Sequence, residues 1–444
     1  MKRIAARVKP LALGDRLVRR NPLVYPRARA LFERLLAAPL EERRAVTGER
    51  LRAVLAAAAR TPYGRRVEGK GDLSAWPLLD KEALRDDPTA FLGRGARLSV
   101  PASTSGTSGV PLRLRRSLAS IAVEQAAIDT LLVAQGLDLG SARYAILRGD
   151  DIKDPADASP PFWQSASGGK RLVFSSNHLK PETLEEFVGA LGSFRPDCLL
   201  AYPTILESLC RLLRRSGERV QIPLTFTSSE LLTPYARALA ADLLATTVVD
   251  FYGQAERVNA AYSVSPGAYF FLPGHGCTEL LHVGADDGDD VYEIVGTSLW
   301  NMTMPLVRYR TGDFVLLPAD LRDQELERIA YGLEPVPGIL GRSGDYLVSP
   351  EGSRLMGIDH IPRDVENVVR IQVVQEAPER VRILVIPTER YSQVDAARIG
   401  HNVSLKLPPS MAWSLELVEE LERTPQGKAP LVIRRPGVDS AAIR

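Results

Sequence analysis

The feature that most constrains the fold is a regular alternation of short apolar runs and helical segments between residues 140 and 255. The apolar runs have the length and composition of buried strands, and they are Tyr144–Leu147, Cys198–Ala201, Thr225–Thr227 and Thr247–Phe251. Helical stretches at 182–194, 204–216 and 233–244 separate the later runs. Strands that alternate with helices form βαβ units, which build parallel sheets covered by helices. The pattern therefore predicts an α/β core.

The segments that flank this core have other patterns. Residues 28–60 and 117–135 place leucine and alanine at helical spacing, so each predicts a helix. From 268 to 318 strands alternate with turns, which predicts an antiparallel sheet. Its expected strands are Gly276–Val283, Asp290–Thr297 and Asp313–Leu317. An insert of mixed charge at Leu321–Ile329 is interpreted as a solvated surface helix.

A boundary is predicted at Pro335-Val336-Pro337-Gly338, and the chain beyond it has a βαββαβ-like pattern. Its expected elements are strands Val368–Gln375, Val381–Pro387 and Trp413–Leu417, with a helix at 393–405. We therefore predict a helical N-terminal extension over 1–75, a core domain over 76–341 and a small C-terminal domain over 342–444.

Composition excludes several classes of protein. The 444 residues carry a net charge of +2, which gives no support for a nucleic-acid partner. Three cysteines are too few for a disulfide framework, and no window approaches the roughly 20 apolar residues of a membrane span. No uninterrupted apolar stretch of signal-peptide length is seen near residue 1, so a cytoplasmic protein is expected. Only nine of the 56 basic residues are lysines, and after Lys180 only Lys406 and Lys428 remain.

The strongest local signal is the loop Ser103-Thr104-Ser105-Gly106-Thr107-Ser108-Gly109. Its hydroxyls and backbone N–H groups could surround phosphate oxygens, because no bulky side chain blocks the approach. No Gly-Lys-Ser/Thr follows, so the loop is not a Walker A motif. Loops of this composition are also common linkers.

Three further segments have chemistry that a nucleotide site needs. Tyr252-Gly253-Gln254-Ala255-Glu256 offers a flat ring beside open space, and a carboxylate suited to Mg²⁺. The acid of Thr311-Gly312-Asp313 could accept both hydroxyls of a ribose. Thr424-Pro425-Gln426-Gly427-Lys428 places a compact cation on a turn. Taken singly, the three segments are more typical of a strand end, a turn and a solvated loop, respectively, than of a nucleotide site.

Their order along the chain resembles that of the ANL-type adenylate-forming enzymes, which include acyl- and aryl-CoA synthetases, adenylation domains and luciferases. The stretch Ser103–Pro111 resembles the phosphate loop of this family, and Tyr252-Gly253-x-x-Glu256 resembles its adenine and Mg²⁺ motif. Thr311-Gly312-Asp313 is similar to the ribose-binding acid, Gly341-Arg342 to the hinge-side arginine, and Pro425-x-Gly427-Lys428 to the catalytic lysine motif. The resemblance covers about residues 76 to 435.

Within this family the chain is most similar to the phenylacetate–CoA ligase branch, with its capsular-polysaccharide and coenzyme F390 synthetase-like relatives. The supporting segments are Pro77-Leu78-Leu79-Asp80-Lys81, Ala201-Tyr202-Pro203-Thr204, Thr227-Ser228-Ser229-Glu230-Leu231 and Pro305-Leu306-Val307-Arg308-Tyr309. The resemblance implies a large adenylate-forming domain of α/β sheets with an antiparallel subdomain, followed by a small mobile α+β lid.

The resemblance also implies a function and a site. A carboxylic acid, expected to be an aryl or amino acid, would be activated by ATP and Mg²⁺ to an acyl-adenylate and passed to CoA or another thiol. Lys428 and Glu256 would be catalytic, with Glu256 also binding Mg²⁺. The implied nucleotide-binding residues are Thr104, Ser105, Gly106, Thr107, Ser108, Gly109, Ser229, Glu230, Tyr252, Gly253, Gln254, Asp313 and Arg342. Tyr202, Thr227 and Ser228 would line the acid pocket, and Gly344 and Asp345 would form the hinge.

Departures from the family pattern leave alternatives open. The loop lacks the family's lysine, for which Arg113 is a substitute, and the segment Ser349–Arg354 differs from that of phenylacetate–CoA ligases. The acceptor could be CoA, a carrier-protein thiol or an amine. One alternative is therefore an amide- or ester-forming synthetase that uses the acyl-adenylate directly and does not bind CoA. A non-catalytic nucleotide-binding relative is another. Cys277 and His282 resemble half of a zinc site, but two ligands cannot complete one, so we predict no structural zinc. Both a monomer and a homodimer are compatible with the sequence.

Overall fold

The computed structural model describes most of the chain between residues 15 and 438. The described residues are 15–68, 71–93, 95, 98–103, 112–148, 152–154, 157–286, 289–340, 347–348, 350, 354–355, 358, 361–362, 365, 367–404, 406–423, 429–435 and 438.

An eight-stranded mixed sheet forms the centre of the molecule, as the alternating apolar runs predict. Its strands are β3 (Tyr144–Leu147), β4 (Trp163–Ala166), β5 (Arg171–Phe174), β6 (Cys198–Ala201), β7 (Leu224–Ser228), β8 (Thr247–Gly253), β9 (Ala260–Ser265) and β10 (Ala268–Phe271). Their order across the sheet is β10-β9-β8-β7-β6-β3-β5-β4. The five central strands β8, β7, β6, β3 and β5 are parallel, and antiparallel strands close both edges.

Helices cover both faces of this sheet, because its central strands are apolar on both sides. Helix α4 (Leu118–Ala134) packs on one face, and α5 (Leu184–Phe194), α6 (Pro203–Ser216) and α7 (Pro234–Leu244) pack on the other. Helix α6 begins with a proline, whose missing N–H costs nothing in the first turn, and ends at Gly217 with φ of 76°.

The sequence predicts one continuous helix over 28–60, and this prediction is wrong. The structure has two helices there, α1 (Tyr25–Ala37) and α2 (Leu40–Ala58). Ala38 adopts an extended conformation because it precedes Pro39, and residues before proline disfavour the helical region. Asp129 of α4 anchors the segment before α1, since it accepts hydrogen bonds from both Arg20 and the Tyr25 hydroxyl.

A three-stranded antiparallel sheet lies beside the central sheet, where the sequence predicts one. Its strands are β11 (Gly276–Asp286), β12 (Asp289–Ser298) and β13 (Tyr309–Pro318), in the order β11-β12-β13. Strand β13 begins four residues before the predicted Asp313. A parallel bridge between Leu79 and Tyr309 accompanies this earlier start, with hydrogen bonds from Leu79 N to Arg308 O and from Arg310 N to Leu79 O. The short helix α3 (Lys81–Asp86) follows Leu79 in the chain.

The charged insert forms helix α8 (Asp323–Ala330), as predicted. Part of this helix faces solvent, and part of it packs against the protein. Its Ile329 is buried, and Arg43 of α2 fastens the turn that follows it. Arg43 is 5% exposed and donates to four backbone carbonyls, those of Leu36, Ala38, Tyr331 and Gly332, at 2.7–3.0 Å. One guanidinium therefore joins the N-terminal helices to the insert.

The C-terminal unit (the described residues from 347 to 438) has its own hydrophobic core. The short strands β14 (Leu347–Val348) and β15 (Arg354–Leu355) pair antiparallel at its start. Its four-stranded sheet contains β16 (Val368–Ala377), β17 (Arg380–Pro387), β18 (Ala412–Leu417) and β19 (Val432–Arg434), in the order β18-β17-β16-β19, and α9 (Gln393–Ser404) packs on it. The elements of this sheet and its helix follow the order ββαββ along the chain, and β16, β17, α9 and β18 coincide with the four predicted elements. The predicted domain limits stay predictions.

The C-terminal unit contacts the core through α6. Arg211 is 7% exposed and donates through Nη1 to Val365 O at 2.9 Å and to Val368 O at 3.2 Å, while its Nε donates to Glu207. Arg423 donates to the Asn177 side chain at 2.8 Å. Across the described residues, no helix combines the length and the apolar character that crossing a membrane requires.

The role of Arg43 can be tested against its neighbour Arg44, which forms an exposed ion pair with Glu327. We expect Arg43→Met to lower the free energy of unfolding by about 3 kcal/mol, because buried carbonyls lose charged donors. Arg44→Met should cost less than about 1 kcal/mol, since exposed ion pairs contribute little. Denaturant unfolding of both variants measures this difference, and equal losses would contradict it.

Candidate active site

The predicted site residues of the core collect at one edge of the central sheet. Tyr202 follows β6, Ser229 and Glu230 follow β7, and Gly253 ends β8. These strands are parallel, so their carboxyl ends meet at the same edge, where open α/β sheets bind ligands.

A hydrogen bond joins the two predicted nucleotide motifs across separate sheets. The Tyr252 hydroxyl, at the end of β8, donates to Oδ2 of Asp313 on β13 over 2.6 Å. Burial, together with the Asp313 charge, raises the pKa of Tyr252 well above its usual value, so the hydroxyl stays protonated and acts as the donor. Asp313 is 1% exposed. The ring of Tyr252 and the carboxylate of Asp313 therefore hold each other in place.

The buried side-chain amides of Gln254 and Asn259 support this bond. Gln254 Nε2 donates to the Tyr252 oxygen, and also to Oδ1 of Asn259 over 2.7 Å. Within the described part of the chain, Oε1 of Gln254 is buried and accepts no hydrogen bond. The Gln254 side chain therefore keeps one buried acceptor whose bonding capacity is unused among the described residues.

Glu256 is held by the same strand that carries Asp313. The hydroxyl of Tyr309, at the start of β13, donates to Oε1 of Glu256 over 2.8 Å. Both residues are buried, Glu256 at 3% and Tyr309 at 1% exposed. Strand β8 with the loop after it supplies Tyr252 and Glu256, and strand β13 supplies Tyr309 and Asp313, so two tyrosine–carboxylate pairs join these elements. We refer to these four residues as the cluster.

The predicted acid-pocket residues differ in exposure. Thr227 is fully buried and donates to Asp250 over 2.6 Å, so its hydroxyl is part of the sheet interior. Ser228, one residue further, is partly exposed. Ser229 is exposed and has a φ of 73°, a left-handed conformation that costs free energy in a residue with a side chain.

Glu230 contacts the start of α6. Its Oε2 accepts from Thr204 N at 3.1 Å and from Thr204 Oγ1 at 2.6 Å. A carboxylate at a helix N-terminus satisfies backbone N–H groups that have no partner inside the helix. Glu230 thus ties the end of β7 to the residues that follow β6, which include Tyr202.

Several predicted residues lie outside the described part of the chain. They are Thr104, Ser105, Gly106, Thr107, Ser108, Gly109, Arg342, Gly344, Asp345 and Lys428. The described residues around two of these segments are informative. Strands β1 (Val100–Ser103) and β2 (Arg113–Arg116) pair antiparallel, with Ser103 opposite Arg113, so they bracket the predicted phosphate loop.

Cys277 and His282 are both on β11, five residues apart. At about 3.3 Å per strand residue, their Cα atoms are separated by roughly 16 Å. One metal ion could not bind both. His282 instead lies 3.3 Å from Asp290.

The sequence analysis missed the residues that support the cluster. Tyr309 and Asn259 have no special spacing relative to Glu256 and Gln254, because their contacts form only when β13 and β9 are in place. The motif Arg308-Tyr309-Arg310-Thr311-Gly312-Asp313 was available as a signal, since Tyr309 precedes Asp313 by four residues. It gave no indication that the tyrosine bonds to Glu256.

Comparison with known proteins agrees with the geometry. Residues 347–435 match the family model described as the CapK C-terminal domain. Protein CapK of Staphylococcus aureus is 22% identical over 376 residues, covering 82% of this chain and 80% of the relative. Phenylacetate-coenzyme A ligase of Thermus thermophilus is 25% identical over 399 residues, covering 82% of each chain. The crystal structure of 2-hydroxyisobutyryl-CoA ligase with 2-HIB-AMP superposes with a TM-score of 0.63 at 16% identity, over 91% of this chain and 92% of the other.

The chain has the mixed α/β fold of the adenylate-forming ligases, including a C-terminal domain. Its homologues are CapK and the phenylacetate–CoA ligases. The predicted fold class and resemblance are confirmed, whereas the roles of individual site residues stay predictions.

The bond between Tyr252 and Asp313 predicts a local effect on stability. Tyr252→Phe removes a donor from a buried carboxylate, so we expect the free energy of unfolding to fall by about 2 kcal/mol. Tyr262→Phe, on the neighbouring strand β9, is the matched control and should stay within about 0.5 kcal/mol of the native chain. Thermal or denaturant unfolding of both variants checks this, and a neutral Tyr252→Phe would contradict the assigned bond.

Proposed function

We propose that the chain is an AMP-forming ligase that activates a carboxylic acid with ATP and transfers the acyl group to CoA or another thiol. The observation that carries the proposal is the cluster of Tyr252, Glu256, Tyr309 and Asp313. It unites motifs 61 positions apart in the sequence into one site at the edge of the sheet. The resemblance of these motifs to those of adenylate-forming enzymes supports the same function, as do the relatives named as CoA ligases.

The donor set fits a nucleotide. The Tyr252 ring offers a flat surface for adenine, and the unsatisfied Oε1 of Gln254 beside it can accept a hydrogen bond from a ligand N–H. Asp313 can accept from ribose hydroxyls while it keeps the bond from Tyr252. We propose that Arg342 contacts the same ribose and that the loop 104–109 binds the β- and γ-phosphates. Ser229 and Glu230, which follow β7, are further proposed nucleotide-binding residues.

The buried carboxylate of Glu256 fits Mg²⁺, which prefers one or two carboxylates together with phosphate oxygens. When bound, the ion would neutralise charge on the phosphates. Tyr309 donates to Oε1 of Glu256, so its contribution is to fix the direction of the carboxylate. This is a positioning role, since Tyr309 would touch neither the substrate nor the ion.

In the proposed reaction a carboxylate oxygen of the acid attacks the α-phosphorus of ATP. The bond from this phosphorus to the bridging oxygen breaks, and pyrophosphate leaves. Free carboxylates are poor acylating agents, whereas the acyl-adenylate has AMP as its leaving group. The protein contributes orientation and electrostatic stabilisation, which are the usual main terms in phosphoryl chemistry.

We propose that Lys428 bridges the attacking carboxylate and the α-phosphate. Its neighbour Arg423 bonds to Asn177, which follows β5 at the carboxyl edge of the sheet. Five residues span at most about 18 Å, so Lys428 is within reach of that edge. A rotation about Gly344 and Asp345 would then move the lysine away and admit the acceptor, as a gating step separate from the chemistry.

The acid and the acceptor are identified by one screen. The native chain is incubated with ATP, radiolabelled pyrophosphate and single aryl, fatty or amino acids, and exchange into ATP is measured. We expect exchange with one class of acid, with Tyr202 and Ser228 lining its pocket. Product formation with CoA, a carrier-protein thiol or a panel of amines then identifies the acceptor. Tight AMP binding without exchange for any acid would instead favour the non-catalytic alternative.

The two lysines of the C-terminal half provide a matched pair of variants. Lys428→Ala should lower the exchange rate by about 10² to 10³-fold, because removing one electrostatic contact to a transition state costs about 3–4 kcal/mol. Lys406→Ala removes an equal charge after α9 and should leave the rate unchanged. Exchange rates under saturating acid measure both. Undiminished exchange in Lys428→Ala would exclude the assignment.

A further inference from the structure

Strand β16 of the C-terminal unit carries two fully buried glutamines, Gln372 and Gln375, which the proposed reaction does not use. The residues between them, Val373 and Val374, are also buried, so apolar side chains suit this part of the strand. A buried amide costs free energy unless hydrogen bonds satisfy it. The partners of each amide therefore indicate what it holds in place.

Gln372 bonds to the main chain on both sides of the segment that contains Lys428. Its Oε1 accepts from Glu422 N at 2.9 Å, and its Nε2 donates to Glu422 O at 3.0 Å and to Pro430 O at 2.8 Å. Residues 423–429, which we call the lysine segment, lie between these two partners in the sequence. One side-chain amide thus joins both ends of the lysine segment to the same strand.

Further contacts fasten the residues that follow Lys428. Arg370, also on β16, donates through Nη2 to Ala429 O at 2.8 Å. The backbone N–H of Val373 donates to Leu431 O at 2.7 Å. Together with the bond from Gln372, these contacts join three successive carbonyls to β16. Strand β19 then continues beside β16 in parallel, so the chain leaves the lysine segment on a path fixed by hydrogen bonds.

The anchored ends of the lysine segment lie close to the core. Burial lowers the pKa of Arg370, and the carboxylates of Glu230 and Glu207 act in the opposite direction, so its guanidinium is within electrostatic reach of both acids. Arg423, at the other end, donates to the Asn177 side chain at 2.8 Å. Glu230 follows β7 and Asn177 follows β5, so both ends of the segment are near the carboxyl edge of the central sheet.

We propose that Gln372 is a positioning residue for Lys428. By bonding both ends of the lysine segment, its amide reduces the number of conformations that the segment can adopt before ATP binds. This restriction favours the reaction, because a misplacement of about 1 Å can cost about 100-fold in rate. The amide itself is buried in the C-terminal unit and acts through the lysine. The proposal rests on the proposed function of Lys428.

Gln375 is a closely matched control. Its Oε1 accepts from Val348 N at 2.9 Å, and its Nε2 donates to Val348 O at 2.6 Å and to Pro378 O at 3.4 Å. The two glutamines therefore share the strand, the burial and the kind of contact. They differ in what they hold, since Gln375 fastens β14 and not the lysine segment. A merely structural role for Gln372 predicts that loss of either amide has the same effect on the reaction.

The test replaces each glutamine by methionine, which is unbranched and flexible and has no amide. Both variants should lose stability to a similar degree in denaturant unfolding, because buried main-chain groups lose their partners. Exchange of radiolabelled pyrophosphate into ATP then measures adenylate formation without the later transfer. We expect Gln372→Met to lower the kcat of exchange by about 10- to 100-fold and to leave the KM for ATP within about twofold. Gln375→Met should keep both constants within about twofold of the native values.

The variant Lys428→Ala shows whether Gln372 acts through the lysine. If it does, Gln372→Met causes no further loss in the residual exchange of Lys428→Ala, because residues that act as a unit are not additive. The same loss in both backgrounds would show that Gln372 acts elsewhere, and would overturn the proposal. Native exchange in Gln372→Met, or equal losses of exchange in the two methionine variants, would overturn it as well.

Failure of the proposed function gives a different result. Native exchange in Lys428→Ala, or no exchange by the native chain with any acid, contradicts the function of Lys428, and this proposal is then wrong with it. Should Gln372→Met fail to fold, Gln372→Glu is the second variant. Its ionised carboxylate can still accept from Glu422 N but can donate to neither carbonyl, so exchange should again fall. A native exchange rate in Gln372→Glu contradicts the proposal.

Discussion

The hydrogen bond between Tyr252 and Asp313 is the contact on which the arrangement of the site depends. One residue ends a parallel strand of the central sheet, and the other lies in the antiparallel sheet beside it. A bond of 2.6 Å between them fixes the distance between the two sheets at the place where the parallel strands end. The pairing of Tyr309 with Glu256 repeats this link a few residues away. Because two tyrosine–carboxylate pairs cross the same boundary, neither sheet can shift without separating the proposed adenine, ribose and metal-binding groups.

Arginine side chains form several of the buried polar links between separate elements of the described structure. Arg43, Arg116, Arg211 and Arg237 each donate to main-chain carbonyls of other segments, and each lies largely within the protein. A guanidinium can reach several carbonyls at once because its donors form a rigid, forked plane, whereas an ammonium cannot match that geometry. The large excess of arginine over lysine says little about binding partners. Several of these arginines instead connect structural elements within the protein. They join the N-terminal helices to the insert, β2 to the loop after β8, and α6 to the C-terminal unit.

The parallel core was predictable because its signal is local: an apolar run long enough for a strand, followed by a helix. The runs Tyr144–Leu147 and Cys198–Ala201 coincide with β3 and β6. Short strands with polar residues, such as Trp163–Ala166, lack this signal and were missed. The break at Pro39 could have been predicted from the proline itself, but the helical periodicity on both sides of it favoured one continuous helix. Motif order indicated Tyr252, Glu256 and Asp313 as one site, but not their partners. Tyr309 and Asn259 acquire their roles through contacts that form only when separate elements pack together, which spacing alone does not encode.

The division between arginine and lysine also bears on the proposed mechanism. Residues that hold buried carbonyls should keep their charge and their geometry, and the arginines of this chain do so from within the structure. A group that stabilises the charge developing on a carboxylate and a phosphate has different requirements. It must be compact, and it must move away before the acceptor binds. The lysine of the motif Pro425-x-Gly427-Lys428, for which the sequence predicts a turn, would meet these requirements, since its ammonium is small and its four-carbon stem is flexible. In a chain that assigns its fixed contacts to arginine, the placement of one of its few lysines in Pro425-Gln426-Gly427-Lys428 is itself an argument for a transient, catalytic contact.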